Sequence, residues 1–325
     1  MRNYIYKYCF IFLFNLFIVT NAYSNLAYIT NEKDNTVSVV DIKKKKVINT
    51  VNVGQRPRGI IISNDGKLVL ICASDDDRVE VRNAETMKLK YHLPSGPDPE
   101  LMVLSPDDST LYIANEDDAM VTVVDMQDRM IIDDIPVGVE PEGMGLTNDG
   151  KVLVNTSETT NMAHFINTEN LEIFENVLVD QRPRVAMFTP DDKEVWVSAE
   201  IGGTVKVINP KSRDVTHTIS FKIPGVNEES IQPVGVRHTL DGKYTFVALG
   251  PANRIAVVDQ KEKKLIKYLL VGQRVWQMYL TPDEKTLIST NGVSNDISFI
   301  DVEDLKVTKS VKVGRFPWGV AISPK

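Results

Sequence analysis

The 325 residues are 42% hydrophobic and 25% charged with 18 glycines, an ordinary globular composition that excludes a disordered, collagen-like or polytopic membrane chain. Lys plus Arg number 37 against 44 Asp plus Glu, a formal charge of −7, which argues against a nucleic-acid binder that needs a basic face.

Residues 1–24 read apart from the rest. Arg2 and Lys7 precede an uncharged apolar run from Tyr8 to Val19, and Ala22-Tyr23-Ser24 supplies small residues for cleavage. This is the pattern of a signal peptide, and the run is short for a bilayer span, which needs about 20 apolar residues. The expectation is export to the periplasm of a mature chain, residues 25–325, that is not an integral membrane protein and carries a formal charge of −9 once Arg2 and Lys7 are gone. Only Cys72 then remains, inside the apolar stretch Leu68–Ala73, so no internal disulfide is expected and the thiol reads as a small buried hydrophobe.

Beyond residue 24 the chain repeats. Ala27 to Thr30, Thr36 to Val40 and Val47 to Val51 form three short apolar or alternating runs. Asp-rich turns then follow at intervals of 42: Asn64-Asp65-Gly66, Pro106-Asp107-Asp108, Asn148-Asp149-Gly150 and Pro190-Asp191-Asp192. One interval of 50 leads to Leu240-Asp241-Gly242, and another of 42 to Pro282-Asp283-Glu284. A second marker keeps the same rhythm, as Gly54, Gly96, Gly138, Asp180, Ser230, Gly272 and Gly314. Within the first full unit the runs are Gly59 to Ser63, Leu68 to Ala73, Arg78 to Arg82 and Leu89 to Leu93. Val- and Ile-rich runs of this length between Asp, Asn and Gly predict antiparallel strands joined by tight turns. Four strands in a period near 40 predict an all-β fold, the β-propeller.

Six full units follow Val53. The run Gly319 to Ser323 lacks three partners, and the first three runs lack an inner one, so together they complete a seventh blade. Seven units of 42 and the eight-residue insertion account for 302 positions, against 301 from residue 25 to residue 325. Sharing one sheet between the two ends removes two exposed strand edges.

Tyr28-Ile29-Thr30-Asn31, Asn35-Thr36-Val37-Ser38-Val39-Val40-Asp41 and the Val-Gly-x-x-Pro turns resemble the YVTN β-propeller repeats. A closer match runs through nearly the whole mature chain, carried by the blocks Gly54-Gln55-Arg56-Pro57-Arg58-Gly59, Ser95-Gly96-Pro97-Asp98-Pro99-Glu100, residues 155–164, residues 248–254 and Gly314-Arg315-Phe316-Pro317-Trp318-Gly319. These blocks are similar to the seven-repeat propellers associated with pyrroloquinoline quinone (PQQ)-dependent catabolism. The resemblance implies a periplasmic setting beside PQQ-dependent alcohol oxidation, with a PQQ-dependent dehydrogenase, a cytochrome c or an ABC transport component as partner. It does not imply that this chain is the dehydrogenase, because the larger quinoprotein propellers carry a tryptophan-bearing repeat and a bound metal that this sequence does not display. No cofactor is expected.

Propellers place function where the loops leading into the innermost strands converge, a fold-level analogy. Aligned on their proline, which is Val275 in blade six, these lead-in loops put Arg56, Asp98, Glu140, Arg182, Gln232, Arg274 and Phe316 in one ring. Arg58, Glu100, Glu142, Arg184, Val234, Trp276 and Trp318 form a second ring two residues on, and Arg315 flanks the last loop. Carboxylates thus gather on blades two and three, guanidiniums on blades one, four and six, and indoles on blades six and seven. Either these charges pair across the mouth and fix the loops, or Arg forks and indoles bind a carboxylate ligand or a protein. The insertion within Phe221 to Ser230 enters the same face as a lid or a docking loop.

No catalytic or metal-binding residue is assigned. His92, His164, His217 and His238 occupy different positions in their repeats, which does not make a metal ring. Asp75-Asp76-Asp77 and Glu116-Asp117-Asp118 read as turn chemistry in preference to calcium sites. The leading expectation is a non-enzymatic binding propeller, and the alternative is a lactonase-like, metal-assisted hydrolase using mouth carboxylates.

Overall fold

A computed structural model describes residues 26–324; the expected signal peptide, residues 1–24, lies outside them. The Asp-rich turns form for a local reason. Asp65 Oδ1 accepts from Ser63 Oγ (2.7 Å) and from the Lys67 N–H (2.9 Å), while Ser63 Oγ accepts from the Leu68 N–H at 3.0 Å. The same knot recurs at Ser105 with Asp107, Thr147 with Asp149, Thr189 with Asp191, Thr239 with Asp241 and Thr281 with Asp283. Short polar side chains here satisfy backbone donors that the reversal would otherwise strand. Alternate turns also grip the next one: the Asn64 N–H donates to Asp108 at 3.0 Å, the Asn148 N–H to Asp192 at 2.9 Å and the Leu240 N–H to Glu284 at 2.9 Å.

These turns connect seven four-stranded antiparallel sheets arranged as blades. Blade one comprises Pro57–Ile62, Leu68–Ala73, Arg78–Asn83 and Leu89–Pro94, and the next five blades repeat it from Pro99 to Lys312. In the seventh, Pro317–Ile322 pairs with Leu26–Asn31, outside which lie Thr36–Asp41 and Lys46–Asn52. The ring is closed there by the Ser323 N–H donating to Leu26 O (2.9 Å) and the Glu32 N–H to Phe316 O (3.0 Å).

The core sits between blades, because a single blade cannot cover its own faces. Leu70, Cys72, Val79 and Val81 of blade one pack on Leu111, Ile113 and Val124 of blade two, and the other seams repeat this arrangement. Outer strands are mostly exposed, as in Lys46–Asn52. Burial pushes the Cys72 thiol well above its usual pKa, as expected of an inert packed cysteine.

Two glycines let the inner strands approach closely. A Cβ on Gly59 would lie 2.3 Å from Glu100 O, and one on Gly143 would lie 2.3 Å from Arg184 O. The axis is therefore narrow at that level, which brings side chains of different blades into contact.

The insertion is anchored at Phe221 and Ile223, is largely exposed from Pro224 to Glu229, and contributes no residue to the lining of the mouth cavity described below. Phe221, Ile223 and Ile231 are buried with Val185, Trp196 and Val205 of blade four and Val236 and Val247 of blade five, and the Lys222 N–H donates to Tyr268 Oη at 3.1 Å. It is a wedge between two blades, which corrects the expectation of a lid. Its cost is a shortened inner strand for blade five, Val236–His238.

Candidate functional site at the lead-in face

Six of the seven residues in the first ring adopt left-handed backbone: Arg56, Asp98, Glu140, Arg182, Arg274 and Phe316, with φ between 46° and 59°. A side chain in this conformation costs energy that the surroundings must offset. They do so with a clamp from the preceding blade. The N–H of Arg56, Arg182, Arg274 and Phe316 donates to Asn35, Asn161, Asn253 and Asn295 Oδ1 at 2.8–3.0 Å, and that of Asp98 to Asp77 Oδ1 at 3.1 Å. These clamp residues lie 21 positions upstream and follow the same rhythm, a signal present in the sequence and missed.

The acidic side of the mouth is held by Arg56 and Arg58. Arg56 reaches Asp75 (2.6 Å), Glu100 (3.3 Å) and Asp98, while Arg58 reaches Glu100 (2.7 Å) and Glu32 (3.5 Å) and stacks 4.7 Å over the Trp318 ring. On the far side Arg184 meets Glu142 (2.9 Å), Glu158 and Glu200 (3.7 Å). Arg182 bridges Glu158 (2.9 Å) and Glu200 (3.2 Å), and Arg274 closes on Glu200 at 3.3 Å. Much of the charge therefore pairs across blades and fixes the loops.

The pairing is uneven. Arg58, Arg182, Arg184, Arg274, Gln232, Glu200 and Trp276 line a cavity of about 340 Å³ opening at the mouth, with Glu200 its only lining carboxylate. The Arg274 guanidinium lies 4.4 Å over the Trp276 ring. Burial holds its pKa below the usual guanidinium value, and Arg184 and Arg182 add to that while Glu200 opposes it. By contrast, burial opposes the charge on Arg184, yet Glu142, Glu158 and Glu200 together raise its pKa.

Asp98, Glu100 and Glu116 bring carboxylate oxygens within 4.8 Å of one another. Burial and then the Glu100 charge raise Glu116 to about 7, and burial followed by Glu100, against Arg56, raises Asp98 to about 6. A carboxyl whose folded pKa is raised binds its proton more tightly when folded, so stability is greatest below its unfolded pKa and falls as pH rises through the folded value. Thermal melts from pH 5 to pH 8 are expected to show the wild-type midpoint falling and Glu116→Gln falling less. Equal declines in both proteins would contradict this role of Glu116.

The sequence-derived candidates divide into three groups. Arg56, Arg58, Asp98, Glu100, Glu142, Arg182, Arg184, Arg274 and Trp276 belong to the mouth network or its cavity. Glu140 sits at the rim, accepting from Thr159 Oγ1 at 2.5 Å, and Arg315 is drawn outward to Asp34 at 2.5 Å with its side chain 67% exposed. Trp318 corrects the expectation of a surface anchor: it is 0% exposed and forms a floor beneath Arg58. A third ring was missed. Glu32, Glu116, Glu158 and Glu200, immediately after the second strands of their blades, carry the repeat rhythm and supply half of the mouth's carboxylates.

The remaining polar features are structural. His164 Nε2 accepts from the Gly138 N–H (3.0 Å), His238 is buried against Trp196, and burial lowers its pKa to about 4. Asp75 pairs with Arg56, Asp76 accepts from the Gln55 N–H (3.0 Å), and Asp77 clamps Asp98, so this run ties loops together.

No protein-family model matches the chain, and no curated protein does. Solved structures match in shape. A chain of Kuenenia stuttgartiensis hydrazine synthase superposes with a TM-score of 0.77 at 21% identity, covering 85% of this chain and 92% of that one. A functionally unknown protein from Desulfotomaculum acetoxidans gives 0.76 at 16%, covering 93% and 100%. The dihydro-heme d1 dehydrogenase NirN, solved in complex with DHE, gives 0.69 at 13%, covering 91% and 75%. At these identities the likeness is one of fold: this chain is a seven-bladed β-propeller.

Proposed function

We propose that this is an exported, non-enzymatic binding propeller that captures a carboxylate-bearing group at its lead-in face. The group belongs to a small ligand or a protein partner, and the setting is periplasmic PQQ-dependent alcohol oxidation. The observation that carries the reading is the cavity in which Arg58, Arg182, Arg184 and Arg274 face Glu200. An incoming carboxylate adds countercharge to Arg274, which shares Glu200 with Arg182 and Arg184, and a guanidinium fork binds such a group in a bidentate geometry. Trp276 adds a flat apolar wall of the kind that anchors interfaces. The setting rests on the sequence blocks similar to the PQQ-associated propellers and on the export signal. The partner classes that follow are a PQQ-dependent dehydrogenase, a cytochrome c or an ABC transport component.

Arg184 is a poor choice for testing this, because three carboxylates depend on it. Arg274→Ala with Trp276→Ala removes the accessible part of the cavity while Glu200 keeps Arg182 and Arg184. The double variant is expected to melt near the wild-type temperature and to lose capture of the periplasmic partner by at least about tenfold, as loss of an anchor does. Undiminished capture by the folded variant would defeat the reading.

The metal-assisted hydrolase has one observation in its favour, the Asp98, Glu100 and Glu116 cluster. Arg56 already pairs with Asp98 and Glu100 there, so a cation must displace a guanidinium. Metal analysis of purified protein with a lactone and ester screen separates the two: bound metal with turnover supports the hydrolase.

A further inference from the structure

Below the Trp318 floor the axis opens again toward the Asp-turn face, as a second cavity of about 520 Å³. Its wall is mainly apolar, with Leu101, Met144, Met187, Trp318 and Ile322 among the lining residues, and Leu240 (72%) and Tyr279 (40%) stand exposed at its edge. One residue breaks the pattern. Arg237, on the short inner strand of blade five, occupies a position filled in the other blades by Ile61, Val103, Gly145, Met187, Tyr279 and Ala321.

Arg237 makes no ion pair among the described residues. Its Nη1 donates to Val236 O (2.9 Å), its Nε has no hydrogen-bond partner, and its guanidinium lies 5.2 Å over the Tyr279 ring. Burial lowers its pKa, and only Tyr279 counters. Glu284, also in the lining, is engaged at the rim by the Leu240 N–H at 2.9 Å. A charge placed in a mainly apolar wall without an ion pair is costly and is ordinarily paired. We infer that this cavity binds a monoanion with an apolar body, such as a medium-chain carboxylate, its head on Arg237 and its tail against the methionines. A neutral apolar ligand leaves the guanidinium unpaired, and a small hydrophilic anion leaves the apolar wall wet.

The test uses sodium octanoate as probe, titrated calorimetrically into the purified protein, with octan-1-ol as the uncharged control. Saturable one-to-one binding of octanoate is expected, at least about tenfold tighter than octanol, the scale of one charge-assisted contact. Arg237→Met is expected to abolish that preference while folding normally, since it removes a half-buried charge that has no ion pair among the described residues. Met187→Trp, which fills the cavity and leaves Arg237 in place, is expected to abolish octanoate binding. A single mouth variant serves as the locator: Trp276→Ala is expected to bind octanoate as the wild type does. Equal affinity for octanoate and octanol, no saturable binding, or loss in Trp276→Ala but not in Arg237→Met would overturn the inference.

Discussion

Replacing Arg184 with alanine is expected to destabilise the protein by about 3–5 kcal/mol, because it leaves the buried carboxylate of Glu142 without its ion-pair partner and Glu158 with Arg182 alone. Both are 1–2% exposed, so water cannot compensate. Burial already raises the pKa of Glu142 well above the usual carboxylate range despite Arg184, with Glu100 and Glu158 adding to it. Without Arg184 both carboxyls will take up protons, so the loss is expected to be larger at pH 8 than at pH 5. In a melt the effect amounts to a drop of roughly 5–15 °C for a chain of this size. Replacing Arg184, Glu142 and Glu158 together by apolar residues of similar volume is expected to cost less than the single change, since no charge is stranded. A single variant that melts within about 2 °C of wild type would show that the network is not coupled in this way.

Removing residues 314–325 is expected to have the largest effect. The closing strand carries Trp318, Val320, Ala321 and Ile322, all at most 4% exposed. Burying each large apolar side chain contributes roughly 1.5–3 kcal/mol, so their sum is comparable to the whole stability of a typical domain, about 5–15 kcal/mol. Truncation also exposes Leu26–Asn31 as an unpaired edge whose residues from Ala27 onward are buried in the ring. The truncated chain is expected to aggregate or to elute as oligomers in size-exclusion chromatography, with no cooperative melt. A soluble monomer with the wild-type midpoint would mean that the two ends do not hold the ring closed.

The fold was legible because its determinants are local and repeat. Asp65 and its counterparts fold their turns through bonds to neighbours within a few residues, so the 42-residue rhythm maps directly onto blades. The lead-in residues were legible for the same reason. Arg56 and Arg58 reach Glu100 across the blade boundary because the repeat places them at equivalent heights around a narrow axis.

Burial at the axis was harder to read. Trp318 resembles a surface anchor in sequence, but its fate depends on Gly319 allowing the neighbouring strand close, with a Cβ there only 2.5 Å from Arg58 O. The Glu32, Glu116, Glu158 and Glu200 ring is harder to read because no glycine or proline marks the ends of the second strands, and Glu116 there resembles the turn residues Asp117 and Asp118 that follow it. The insertion carries its own explanation in Phe221, Ile223 and Ile231, whose spacing gives it apolar anchors instead of a mobile lid. Arg237 had no signal beyond being the one charged residue in a ring of uncharged ones. Its meaning required the cavity.

The capture of a carboxylate at the lead-in face is tested most directly by arginine side-chain NMR during titration with succinate at low salt. Saturable movement of the Arg274 and Arg182 Nε–Hε resonances is expected in the wild type and not in Arg274→Ala, Trp276→Ala protein, where Arg182 should stay still. Resonances that do not move to saturation, or an Arg182 that responds equally in both proteins, would contradict it.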